Sequence, residues 1–357
     1  MIYSRLKLTA PLAVLLTLVA YLFLNRTHLF KVGVLVSLAF STAVPWGAYL
    51  VKNGVWTYAP EALAGPMIFG VPTAELLFLA VQTYITSLIY VLFNITLVHA
   101  KYLLTQRDPP DWITRAKLAG QILLALSTLT GAYLIHVGGQ YTYMGLILNW
   151  AAPFALLAWT VSGSFILGLP LSATAVPILI STIYVLFSEM LVNTNGGRYI
   201  DSQRKLGFRL FGSIDIEEAI IVLLTNGLVV LTLATLDMYL AVIDAFPHLF
   251  PGNTSFPTPA MLLKACLTGT KEYDMERIRG IFEADNRLRA KSRSFHMASF
   301  AFSGRLRLDL ILLYDHPPLS TTSVYSVYLR VLAIPSVGWR MISSTTQSQK
   351  KRSWLGT

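Results

Sequence analysis

Seven apolar stretches divide residues 1–245, each near the ~20 residues that a helix needs to cross a bilayer. They run Leu8 to Leu24, Val32 to Val51, Glu75 to Val98, Leu118 to Val137, Met144 to about Leu167, Leu169 to Val192 and Glu217 to Leu236. The first follows Arg5 and Lys7 and would alone pass for a signal peptide. With six more behind it, it reads as a first membrane helix or signal-anchor. Pro45-Trp46 interrupts the second span. The connector from Lys52 to Pro72 is rich in Gly, Pro and aromatic residues and reads as an ordered interfacial loop. Between spans three and four, Asp108-Pro109-Pro110-Asp111 has a D-x-x-D spacing, but its two prolines make a surface turn. The loop before span seven is basic, with Arg198, Arg204, Lys205 and Arg209.

After Asp237 the pattern changes. Residues 246–260 form a Pro-rich linker, and 261–314 have the mixed charged and apolar positions of soluble helices. Residues 315–357 are rich in Ser and Thr and end near Lys350-Lys351-Arg352, with no convincing core. The expected fold is all-α: a polytopic membrane protein of about seven transmembrane helices, then a short helical fragment and a disordered tail.

Two stretches look like versions of each other. Phe69-Gly70-Val71-Pro72-Thr73-Ala74-Glu75 leads into a span holding Gln82 and Thr83; Phe211-Gly212-Ser213-Ile214-Asp215-Ile216-Glu217-Glu218 leads into one holding Thr225 and Asn226. In each, amide and hydroxyl side chains follow the carboxylate by about two helical turns. Span two resembles six, and three resembles seven. This even offset predicts parallel repeats, with both acidic helix starts on one membrane face, able to line one pocket.

Composition fits the spans. Hydrophobic residues make up 54% of the 357 and charged residues 13%, against about 25% charged in soluble chains. Mean hydropathy is +0.58. The net charge of +10 lies mostly after Lys264, in a tail suited to anionic lipid or an acidic substrate. No basic cluster interleaved with stacking aromatics points to nucleic acid. A single cysteine, Cys266, excludes an intramolecular disulfide and a multi-cysteine metal site, and the six histidines show no ligand spacing.

A helix N-terminus favours a carboxylate, whereas apolar surroundings and a like-charged neighbour favour the protonated acid. Glu75, Glu217 and Glu218 therefore read as an acid and base in a greasy pocket, with Glu189 as an outside candidate. No dinucleotide fingerprint, cysteine cluster or heme motif accompanies them. Proton-initiated rearrangement of an apolar polyene fits such a set. Electron-rich rings at Trp46, Trp56, Tyr58, Trp150 and Trp159 are available to stabilise a carbocation or, equally, to form an interfacial belt. A receptor-like protein and a transporter remain alternatives; span seven lacks the lysine that a retinal Schiff base needs.

The residues also carry a resemblance. Pro45-Trp46, Gly54-Val55-Trp56-Thr57-Tyr58, Gly70-Val71-Pro72 with Glu75, Gln82 to Leu88, and Ile216-Glu217-Glu218-Ala219 with Thr225-Asn226 resemble the integral-membrane lycopene β-cyclase of fungi, archaea and some bacteria. Lys291 to Phe295, Ala298-Ser299 and Arg307 to Tyr314 resemble the start of the phytoene synthase that fungi fuse behind it. The resemblance implies cyclisation of lycopene ends to β-rings without a cofactor, in an intracellular membrane beside other carotenoid-pathway enzymes. It implies catalysis by Glu75, Glu217 and Glu218, substrate contacts from Trp46, Trp56, Tyr58, Gln82 and Asn226, and a diphosphate-binding remnant at Lys291 and Arg293. The sequence departs from the family at Ala74, where a second glutamate is usual, and at Gly47, where an aspartate is. After Tyr314 it reads Asp315-His316-Pro317-Pro318, and no D-D-x-x-D occurs. A complete synthase would hold Mg²⁺ on such carboxylates, so prenyl transfer is expected to be lost and the tail to reflect a frameshift or mis-splicing. A non-catalytic remnant of the bifunctional enzyme is a further alternative.

Overall fold

The computed structural model describes residues 2–58, 66–192, 198–247, 249–250, 257–268, 278–281, 283–284 and 286–287, all in the unit of residues 1–317. Lys291, Arg293 and the expected tail lie outside them. The helices are α1 (Ile2–Tyr21), α2 (Arg26–Lys52), α3 (Thr73–Asn94), α4 (Leu103–Arg107), α5 (Asp111–Val137), α6 (Thr142–Gly168), α7 (Leu171–Val192), α8 (Ile216–Ala245) and α9 (Pro259–Thr268). Six of them, α2, α3, α5, α6, α7 and α8, are long and apolar enough to cross a membrane. The stretch expected to be the first of seven spans is also helical, but its apolar part, Leu6–Tyr21, is shorter. It packs on α3 and α7, where the Thr17 and Tyr84 hydroxyls bond at 2.8 Å and Tyr184 donates to the Leu8 carbonyl at 2.7 Å.

Helix α8 is central and packs against α2, α3, α6, α7 and α9. Its parallel course beside α3 follows from their cross-links. Gln82 and Thr86 of α3 bond to Asn226 of α8, and further along both helices, by one to two turns in α3 and about three in α8, Tyr90 bonds to Asp237. The two acidic helix starts therefore share one end of the bundle. Helix α5 rests mainly on α6. There a Cβ on Gly131 would come within 2.8 Å of the Asn149 backbone nitrogen and 3.0 Å of the Gly145 carbonyl oxygen, so only glycine permits this approach.

Three short antiparallel ribbons interrupt the helices. Strand β1 (Trp56–Tyr58) pairs with β4 (Arg198–Ile200), β2 (Met67–Ile68) with β3 (Val71–Pro72), and β5 (Arg209–Leu210) with β6 (Ile214–Asp215). The first joins the loop after α2 to the loop after α7. The other two are hairpins that lead directly into α3 and α8.

Several spans differ in extent from the sequence reading. Helix α2 starts at Arg26, before the expected Val32, because Asn25 caps it: its side chain accepts from the His28 amide at 2.8 Å. It also continues unbroken through Pro45. Helix α8 runs past Asp237 to Ala245. Lys31 and Asp237, left outside the expected spans, are buried against each other at 2.6 Å, so neither charge ends its helix. Helix α5 begins at Asp111, inside the expected turn. Beyond α8, Phe246, Phe250, Ala265 and Ile278 join the buried apolar cluster around its end.

Candidate active site

The two Phe-Gly hairpins position the acids. Ile68 pairs with Val71 across Phe69-Gly70, whose φ values of 50° and 83° are both positive, as a type I′ turn requires. Leu210 pairs with Ile214 across Phe211-Gly212-Ser213, with φ of 50° at Phe211 and 72° at Gly212. Each hairpin is closed by the amide that opens its helix: Thr73 donates to the Pro66 carbonyl and Ile216 to the Phe208 carbonyl, both at 3.0 Å. The first helical turn then carries Glu75 in α3, and Glu217 and Glu218 in α8.

Glu75 opens onto a cavity of about 100 Å³. The other polar group that matters most in its wall is Glu189, near the end of α7. Trp46 and Trp56 from the α2 side and Trp150 from α6 supply the aromatic wall. The Trp46 and Trp150 rings stack at 5.1 Å between centroids, and Trp56 meets Trp46 edge-on at 5.3 Å. Ring faces of this kind attract a cation. Among the described residues, no Lys, Arg or His lines the cavity. An apolar cavity of about 150 Å³ admits benzene, so a bulky guest must displace side chains here to enter.

Gln82 also lines the cavity, and its amide donates to Asn226 Oδ1 at 3.1 Å. That oxygen accepts from Thr86 at 3.0 Å as well, while Asn226 Nδ2 donates to Thr182 Oγ1 at 3.1 Å. Asn226 thereby ties α8 to α3 and α7 and fixes the Gln82 amide. A buried amide with its hydrogen bonds made holds one geometry; left unmade, each costs about 1–3 kcal/mol.

The structure thus gathers Trp46, Trp56, Glu75 and Gln82 on one cavity, with Asn226 behind Gln82. Tyr58, on β1 opposite Arg198, is not in the lining. Trp159 lies at the α5–α6 contact, donating to the Lys117 carbonyl at 3.0 Å. Glu217 and Glu218 are both buried, yet neither is in the lining. The Leu206 amide donates to Glu217 Oε1 at 2.6 Å, and Oε2 has no hydrogen-bond partner among the described residues. Glu218 is one turn from Ile221 and Val222 and two from Thr225. All three of these line the cavity, so Glu218 extends their stripe toward the hairpin.

At the far end of α3 and α8 lies a second polar cluster that sequence reasoning missed. Lys31 Nζ is 2.6 Å from Asp237 Oδ1, and the Tyr90 hydroxyl donates to Oδ2 at 2.9 Å. His99 Nε2 is 3.5 Å from the same oxygen. Burial, opposed by Asp237 and aided by Lys31, holds the His99 imidazole below its ordinary value, so the ring is neutral near pH 7. The only sequence signal was a charge at the edge of each apolar stretch.

No family model matches the chain. No solved structure matches it either. Among curated proteins, the bifunctional lycopene cyclase/phytoene synthase of Podospora anserina is 51% identical over 311 residues, covering 87% of this chain and 52% of that protein. The protein of the same name from Neurospora crassa is 50% identical over 313 residues, covering 88% and 52%. That from Colletotrichum graminicola is 44% identical over 315, covering 87% and 53%. The chain spans about half the length of these relatives. Over the matched stretch it is a homologue of the fungal bifunctional lycopene cyclase/phytoene synthases.

Proposed function

We propose that the chain is an integral-membrane lycopene β-cyclase with seven membrane-crossing helices in two parallel repeats, resident in an intracellular membrane. The observation that carries this reading is the cavity that carboxyl groups share with three tryptophan side chains, in a homologue of proteins named as lycopene cyclases. An acid protonates the terminal double bond of the acyclic end. The tertiary cation is attacked by the next double bond along the chain, which closes a six-membered ring. A base then removes a ring proton and leaves the β-ring. Atoms and electrons balance without a redox cofactor, and the tryptophans stabilise the cation between the two proton transfers. Glu75 touches this cavity; Glu218, with Glu217 behind it, belongs to its hairpin-side extension. Trp46, Trp56 and Gln82 are the substrate contacts, with Asn226 and Tyr58 in support.

The likeness of the two Phe-Gly hairpins, the parallel course of α3 and α8, and the β1–β4 ribbon between equivalent loops support the repeat. Prenyl transfer is not assigned to this chain, because it contains no D-D-x-x-D to hold Mg²⁺ against a diphosphate. Lycopene and the bilayer are the partners this reading requires, and other carotenoid-pathway enzymes are natural neighbours. Expression in lycopene-accumulating bacteria is expected to turn red cells orange or yellow. Unchanged lycopene in cells that contain folded protein would refute the cyclase reading. In a host that accumulates geranylgeranyl diphosphate instead, no phytoene is expected.

A further inference from the structure

We propose that the polyene enters the cavity sideways from the bilayer, through the seam between α2 and α6. The stacked rings of Trp46 and Trp150 are the door, and a stripe of α8 is the bed for the part of the polyene that stays outside. This rests on the cyclase reading and says how its substrate reaches the acids. The cavity of about 100 Å³ is below the size that admits benzene. A long, rigid polyene therefore leaves most of its length outside, and the wall must open for its end.

The seam is where the two repeats differ. Phe211 follows Phe69, and Tyr199 follows its ribbon partner Thr57, by the same number of residues. That spacing also matches α6 to α1, α7 to α2 and α8 to α3. Helix α1 packs on α7, where Tyr184 donates to the Leu8 carbonyl at 2.7 Å. Among the described residues, α6 has no comparable packing on α2. The residue that corresponds to Leu8 is Trp150, and it meets α2 through its stack on Trp46, at 5.1 Å between centroids. The Trp150 Nε1–H has no hydrogen-bond partner among the described residues. Both rings are half-buried, so the stack is itself part of the outer surface. Ring stacking with no hydrogen bond behind it is a weak closure.

The bed is continuous with the cavity. Ile221 and Thr225 line the cavity, and Leu228 and Thr232 carry their stripe along the same face of α8. From Ile221 to Thr232 the stripe is about 16 Å long. All four residues are half-buried, whereas Val222, Asn226 and Val229 in the next stripe are buried. Asn226 is tied to α3 and α7, so that side of α8 is closed, and the face leading out of the cavity is not. Helix α6 borders the open stripe at its far end, where the Ser162 and Thr235 hydroxyls bond at 2.7 Å. Helix α2 borders it at the cavity, through Ala43 and Trp46. The Thr232 hydroxyl bonds back to the Leu228 carbonyl at 2.7 Å, which spares an apolar guest an unmet donor.

The test uses the full chain in isolated membranes, given lycopene or a shortened polyene that has the same acyclic end but stops before Thr232. The unvaried protein must first cyclise lycopene; if it does not, the cyclase reading itself fails. Given that activity, Thr232→Trp fills the bed away from the cavity. It is expected to lower kcat/KM for lycopene relative to the short polyene at least about tenfold. That ratio is independent of how much protein folds. An equal fall for both substrates, or no fall for either, would overturn the bed. The door is tested without cyclisation, and so separately from the cyclase reading. Thr225→Cys with Cys266→Ser places a single thiol in the cavity wall. Adding Trp150→Ala is expected to speed its labelling by an apolar maleimide dissolved in the lipid by about 2–10-fold, the worth of one ring stack. Labelling by a charged maleimide in the water should gain less. No change in the apolar rate, or a larger gain for the charged reagent, would overturn the door.

Discussion

Helices α3 and α8 meet at two polar sites, one at each end, and the sites are built on opposite principles. At the far end the charges are matched. Lys31 and Asp237 form a 2.6 Å pair, and Tyr90 satisfies the second carboxylate oxygen at 2.9 Å. At the hairpin end two carboxyls line a void whose other described walls are aliphatic, aromatic, amide and, at Thr225, hydroxyl. A matched buried pair is hard to break and has nothing to give a substrate. Carboxyls beside a void can meet a guest directly. The same two helices thus carry a clamp at one end and reactive groups at the other, and changes at the two ends should separate stability from activity.

The largest effect is expected at the cavity. Glu75→Gln should reduce cyclisation by about 10²–10⁴-fold, the usual worth of a positioned acid or base, without shifting thermal unfolding in detergent. A parallel fall in melting temperature would show that Glu75 is structural and would erase the contrast. The opposite result is expected for the clamp. Lys31→Met should destabilise the fold by about 3–5 kcal/mol, because it leaves Asp237 buried without its cation. Activity per folded molecule should change little. Replacing both partners, as in Lys31→Met with Asp237→Leu, should restore most of that stability, since a matched apolar pair often equals a buried ion pair. Failure of the double variant to recover would mean that Asp237 does more than balance Lys31.

This pair also marks where the sequence was hard to read. The acidic helix starts and the tryptophans were legible because their signals are local: a carboxylate two to three residues into a helix, rings near span ends. The hairpins before α3 and α8 were read only as loops, because two-residue strands leave no alternating pattern. Lys31 and Asp237 were misread as span edges because a local hydropathy pattern charges each residue its full desolvation cost. The partner that cancels that cost is 206 positions away. Glu189 posed the same problem in reverse. An acid near a span end resembles any interfacial acid, and only the packing of α7 against α3 brings it to the cavity of Glu75. Gln82 and Asn226 were legible as a polar recurrence, but their direct bond and its extension to Thr182 were not.

A smaller effect at the clamp should depend on pH. His99 is neutral in the fold because burial lowers its affinity for a proton, with Lys31 adding to this and Asp237 opposing it. The unfolded chain binds that proton first, at about pH 6.5. The stabilising contribution is therefore complete above that pH and is lost as pH falls from there toward the lower folded value. Melting temperatures measured from pH 8 to pH 5 should show the decline, and His99→Phe should flatten it.

The smallest effect is at the hairpin tips, and it tests whether the cavity end is tuned for stability at all. Phe69 and Phe211 both adopt φ of 50°, a region that costs a side chain with a Cβ about 1–2 kcal/mol. Each ring is largely exposed, at 80% and 85%, so little packing within the chain offsets the strain. Glycine adopts this conformation freely. Phe69→Gly and Phe211→Gly should therefore each leave stability unchanged or raise it by up to about 1 kcal/mol, with the entropy of the unfolded glycine opposing part of the gain. The two should behave alike, because both turns precede an acidic helix start and are closed by the same amide-to-carbonyl bond. A clear loss of stability in detergent from either variant would mean that its ring packs more firmly than its exposure suggests. A loss confined to one variant would show that the two hairpins, alike in backbone, have diverged in what their tips contact.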